Sequence, residues 1–239
     1  MYKYDPTAVA REGIIWDANN LIVGLPLLAV AIYLTRRGSL RGRLLLGGLL
    51  FYFFYNYLMY ATMIAFNRLF LVYVGIFALS TVAFLLNLQD IEVSRLPTQV
   101  SARFPRRLFI GFAIALSAAL LLLWGRLILS IMVTDQFPAE SAGMNTLQTQ
   151  ALDLGLVVPL ALAAGILLWR RIAWGYFLTA VSVTHGAMMF IAIPAWIVVP
   201  LIQEGRIDLV EAVPFLAGSF VGLALAGMFY WSVWEEEPS

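Results

Sequence analysis

The chain has 239 residues, 62% of them hydrophobic and only 12% charged, with a mean hydropathy of +0.88. Soluble domains carry about 25% charged residues, so this balance belongs to a membrane protein. A net charge of +1 leaves no basic face for nucleic acid, and the lack of cysteine excludes disulfides, thiolate metal sites and thiol redox chemistry.

The opening stretch "MYKYDPTAVAREGIIWDANN" lacks the basic-then-apolar order of a cleaved signal peptide, so the first span is expected to insert directly. A membrane helix needs about 20 mostly apolar residues to cross about 30 Å of hydrocarbon. Segments 14–35, 43–64, 69–88, 108–132, 151–169, 172–199 and 212–234 qualify. The expected fold is all-α, a seven-transmembrane-helix bundle forming a single polytopic domain over residues 1–239.

Within span one the uninterrupted apolar run, Leu21 to Leu34, covers only about 21 Å at about 1.5 Å per residue. Crossing requires "GIIWDANN" as well, which brings Asp17 and Asn20 into the outer leaflet. Arg36, Arg37, Arg41 and Arg43 then follow the span. In span two, Tyr52, Asn56, Met59, Tyr60 and Met63 fall on one side at helical spacing. Tyr73, Ser80 and Asn87 recur every seven residues in span three. Polar groups are costly against lipid, so these stripes are expected to face the interior. The loop 89–107 is polar and basic, with Arg95, Arg103, Arg106 and Arg107.

Arg126 lies below the outer end of span four, where pairing with Asp153 or Asp17 would reduce the cost of burying both charges. The loop 134–150 carries acids and no Lys or Arg. Asp153 sits just inside the outer end of span five, which ends at Arg170 and Arg171. Span six holds the only histidine, His185, near mid-membrane, with Thr179, Ser182 and Met189 on its side. By helical rise Asp153 and His185 differ in depth by about 15 Å, which disfavours an acid–base pair and hence an enzyme. Span seven carries small residues, Gly218, Gly222 and Ala226, and ends in Trp231 and Trp234, placed as interfacial anchors.

If the spans alternate, ten arginines fall on one side, which is therefore cytoplasmic; the N-terminus is expected outside and the C-terminus inside. Spans one and two also resemble spans five and six. Pro26 and Pro159 each stand about ten residues before an Arg-Arg turn, and Asn56 then falls opposite His185. This suggests a parallel three-plus-one-plus-three pseudo-repeat, a way in which transporters are built; the alternative is that leucine-rich spans align readily.

Asp17, Asn20, Asn56, Tyr60, Arg126, Asp153, Ser182 and His185 are the candidate pocket residues. They imply an outward-facing polar cavity that binds or transports a small polar or cationic molecule. The alternative is a non-catalytic accessory subunit of a larger membrane complex, with the small residues of span seven against a partner helix or a second copy. No phosphate loop, nucleophile elbow, zinc-binding HExxH or haem-attachment motif occurs, so neither a cofactor nor a metal is expected.

The stretches "WDANNLIVGLPLL" (16–28), "RRGSLRG" (36–42), "YNY" (55–57), "FNRLFLVYV" (66–74) and "LLWRRIAWGY" (167–176) resemble an uncharacterised family of bacterial multi-span integral membrane proteins. The resemblance runs over most of the chain and implies a bacterial inner membrane location, but no activity. Other seven-span families are excluded by residue content. Microbial rhodopsins need a lysine in the last span, whereas the only lysine here is Lys3; the zinc hydrolases related to alkaline ceramidases need three histidines. The topology is similar to that of the SWEET sugar transporters, at the level of fold alone.

Overall fold

The computed structural model describes residues 2–101, 103–137, 146–204 and 209–234, and they fold into helices. Helix α1 (Thr7–Asn19) runs through a π turn (Asn20–Gly24) into α2 (Leu25–Arg36). There follow α3 (Leu40–Met63), α4 (Phe70–Asp90), the short α5 (Leu96–Gln99) and α6 (Arg106–Thr134). Helix α7 (Gln148–Leu152) passes through a second π turn (Asp153–Val157) into α8 (Val158–Trp169), and α9 (Trp174–Glu204) and α10 (Leu209–Ser232) complete the bundle. Among the described residues six helical segments are long and apolar enough to cross a membrane, and Leu216–Ser232 is a shorter apolar helix.

The two π turns have a common cause. Pro26 and Pro159 lack a backbone N–H, so the carbonyls four residues earlier, on Ile22 and Gly155, have no α-helical donor. Widening the preceding turn by one residue lets other amides serve those carbonyls, which is how π turns arise. Both π turns begin six residues before the proline, at Asn20 and at Asp153. By contrast α9 stays helical through position 194.

Helix α3 is the central element. Two thirds of its most apolar stretch (67%) is buried, against 17% for α4 and for α6, which present Leu71, Leu79, Leu122 and Leu129 outward as lipid-facing helices do. On α4 the buried residues are Tyr73, Ser80 and Asn87, the stripe expected from sequence. The turn into α3 is tight: Gly38 has φ +81°, and the Ser39 hydroxyl caps the helix by accepting from the Gly42 amide at 3.0 Å.

The arginine-rich end of the bundle is closed. The loop after α4, polar and basic in sequence, buries Val93, Leu96 and Val100. Phe104 stacks on Phe109 with centroids 4.9 Å apart, and Phe229 meets both edge-on at 5.9 Å. A single bridge pairs Val100 with Val233; the Ser101 amide donates to Ser232 O at 2.8 Å and the Trp234 amide to Gln99 O at 2.7 Å. Arg41 secures this clasp, donating to Val233 O from Nε at 3.0 Å and from Nη2 at 2.7 Å. Hydrogen bonds from a charged donor are worth about 1.5–3 kcal/mol. Arg41→Ala should therefore lower stability by about that amount and raise deuterium uptake in residues 93–104, measurable by hydrogen exchange in detergent.

The small residues of span seven are not an open patch. A Cβ on Gly218 or Gly222 would come within 2.9 or 2.7 Å of the Phe190 ring, so α10 receives Phe190 of α9 in this groove, while Ala226 packs on the inner core. Close helix approach needs small residues, and here the partner comes from the same chain.

Candidate ligand cavity

The expected pocket residues divide into two sets. The first forms a dry hydrogen-bonded layer between α1 and α3. Tyr52 donates its hydroxyl to Asn20 Oδ1 at 2.6 Å, and Asn20 Nδ2 donates to Asn56 Oδ1 at 3.1 Å. Asn19, not singled out from sequence, donates to the Tyr52 hydroxyl at 3.0 Å and to Met188 O at 3.4 Å. One turn further out, Tyr2 donates to Asp17 Oδ2 at 2.6 Å, and Tyr60 contacts Asp17 Oδ1 at 3.1 Å and Gly13 O at 2.9 Å. Asn20, Asn56 and Tyr60 are buried and bonded to protein groups, though Asn56 Nδ2 has no partner among the described residues. This layer locks α1 to α3. Asn20→Leu would leave the Tyr52 O–H without an acceptor and Asn56 Oδ1 without a donor, at about 1–3 kcal/mol for an orphaned group. The variant should melt earlier in detergent, with ligand affinity little changed.

The second set surrounds a cavity of about 360 Å³ between α1, α3, α6, the second π turn and α9. Asp153, Ser182 and His185 line it, together with Glu12, Trp16 and Tyr55. Leu116, Leu120, Val157, Leu160 and Phe190 make most of the remaining wall apolar. Asp153 and His185, expected far apart, therefore share one chamber. Tyr55 connects them: its ring meets the His185 ring edge-on with centroids 4.9 Å apart, and its hydroxyl donates to Asp153 Oδ1 at 2.7 Å. Trp124 Nε1 donates to Asp153 Oδ2 at 2.8 Å. With both oxygens accepting, Asp153 is arranged as a carboxylate.

His185 is only 3% exposed, and its Nδ1 has no hydrogen-bond partner among the described residues; the same holds for Ser182 Oγ. Buried polar atoms of this kind are normally satisfied; these two stand on one cavity wall, while Asn56 Nδ2 and Tyr73 Oη are unpartnered away from it. Arg126 does not join either set. Its side chain is exposed on α6, and among the described residues it forms no ion pair with Asp153 or Asp17. A long side chain near a helix end reaches the polar interface, so burial and pairing are not forced upon it.

Glu12 and Trp16 were not legible as pocket residues because they precede the apolar run of span one. Their i, i+4 spacing was the available signal. At about 1.5 Å per residue, His185 is about 17 Å from the start of α9 at Trp174, and Asp153 is about 26 Å from the α8 end at Arg170. The chamber thus reaches from mid-bundle toward the end opposite the arginines.

Long apolar helices with lipid-facing surfaces and an interior chamber define the class: a multi-pass helical membrane protein. Compared with family models, with curated proteins and with solved structures, the chain matches none.

Proposed function

We propose that the chain is a seven-span protein of the bacterial inner membrane, with its N-terminus outside, that binds a small organic cation in this chamber and carries it across. Support for the orientation comes from the arginines, which gather around the clasp of α5 and α10, the end that the positive-inside rule assigns to the cytoplasm. The matched π turns favour the pseudo-repeat, since each breaks the helix at the same distance from its proline. Irregular turns of this kind let the outer half of a hairpin rock against the inner half.

The observation that carries the ligand class is the lining itself. Among the described residues it contains two carboxyl groups, Glu12 and Asp153, no Lys or Arg, and the aromatic side chains of Trp16, Tyr55 and Phe190. A wall of this kind attracts a cation both by charge and by the ring quadrupoles. The closed aromatic core at the arginine-rich end supports reading this as the outward-facing arrangement of a carrier.

The test is equilibrium binding of radiolabelled benzyltrimethylammonium to the purified protein, followed by uptake into vesicles. Saturable binding, competed by other ammonium ions of similar size and not by neutral or anionic analogues, is the expected result. Failure of every cationic, neutral and anionic probe to bind would overturn the reading.

A further inference from the structure

The chamber holds two acids in unequal surroundings. Asp153 receives hydrogen bonds on both oxygens, whereas Glu12, in the second turn of α1, makes no hydrogen bond among the described residues. The Tyr55 hydroxyl lies within the electrostatic reach of both carboxyls. Among the described residues the other titratable groups facing the chamber are Tyr55 from α3 and His185 from α9; α6 contributes Leu116 and Leu120, and no Lys or Arg lines the wall. Glu12, with neither a hydrogen bond nor a cation on it among the described residues, would be an uncompensated anion in these mostly apolar walls. A carboxyl in such surroundings retains its proton unless a positive charge enters. Asp153, by contrast, has two donors committed to its oxygens.

We infer that entry of an organic cation expels the Glu12 proton, so that the site exchanges a cation for a proton. This rests on the cation-binding reading above. The step balances: the Glu12 O–H bond breaks, its proton passes to water, and the carboxylate left behind, with Asp153, faces the bound cation. His185, with no carboxylate hydrogen-bonded to it among the described residues, gives the ligand a polar edge. Because the empty site must lose a proton to bind, affinity rises with pH by about tenfold per unit wherever Glu12 is protonated in the empty protein.

Benzyltrimethylammonium suits the test because it has no titratable proton of its own. Its binding to the full-length protein would be followed by calorimetry in two buffers of different ionisation enthalpy, which counts the protons released. Wild type should release about one proton per cation bound, with affinity rising with pH. Glu12→Gln should bind with a proton count near zero and an affinity that ignores pH. Thermal melts of wild type and variant check that the comparison is between folded proteins. Binding by wild type with no proton release overturns the exchange while leaving the cation site standing, whereas an absence of binding overturns both.

Discussion

Asp153→Asn should weaken binding of benzyltrimethylammonium by at least about 30-fold, because loss of one partner of a desolvated charge pair costs about 2 kcal/mol or more. Asp153 is the chamber's fixed anion, held by Tyr55 Oη at 2.7 Å and Trp124 Nε1 at 2.8 Å. Asparagine keeps the shape and one acceptor oxygen, so either the Tyr55 or the Trp124 contact survives. The other donor would face an amide N–H₂. The variant should also melt a few degrees earlier, since an orphaned buried donor costs about 1–3 kcal/mol. Binding isotherms and melts separate the two effects, with Asn20→Leu as the control that loses stability through the dry layer but keeps its affinity. Equal affinity in wild type and Asp153→Asn would remove Asp153 from the site.

A large loss of stability is expected from Gly48→Ala. A Cβ at this position would lie 2.4 Å from Thr184 Cβ, 2.6 Å from its Oγ1 and 2.8 Å from its Cγ2. No flexible tip can swing away, because the obstruction is a β-branched side chain near its own backbone. Thr184 Oγ1 also shares a 2.6 Å hydrogen bond with the Tyr230 hydroxyl, so displacing it loosens α9 from α10. Overpacking of this kind costs about 1–3 kcal/mol, and the two coupled contacts put Gly48→Ala at the upper end. Gly111→Ala is the matched control: nothing lies within 4 Å of its Cβ position. It should be neutral or slightly stabilising, because alanine favours helix over glycine. Because Thr184 adjoins His185, Gly48→Ala should also reduce cation binding. Melting temperature and affinity should fall together.

How much of this could be read from the residues depended on whether the signal was local. Hydropathy located the helices, and the seven-residue recurrence of Tyr73, Ser80 and Asn87 gave the buried side of α4. Asp153, Ser182 and His185 were legible as interior polar groups, and they do share one chamber. That Asp17 would instead bond Tyr60, and Asn20 bond Asn56, was not legible, because pairing across two helices depends on their relative rotation. Glu12 and Tyr55 were missed for a related reason. Helical counting from the apolar run loses register at a π turn, and Tyr55 stood within an aromatic stretch whose other members are packing. The burial within the loop after α4 was not legible either: its apolar residues are separated by polar ones, so their convergence beneath α10 appears only in three dimensions.

The widened turns at 20–24 and 153–157 also bear on how this chain can change over evolutionary time. Each hosts one residue more than a regular coil would, so losing a single codon there would restore ideal winding and leave the carbonyl four residues before the proline without a donor. Deletions in these two short windows are therefore opposed by the prolines, whereas side-chain replacements on the outer faces of α4 and α6 stay open.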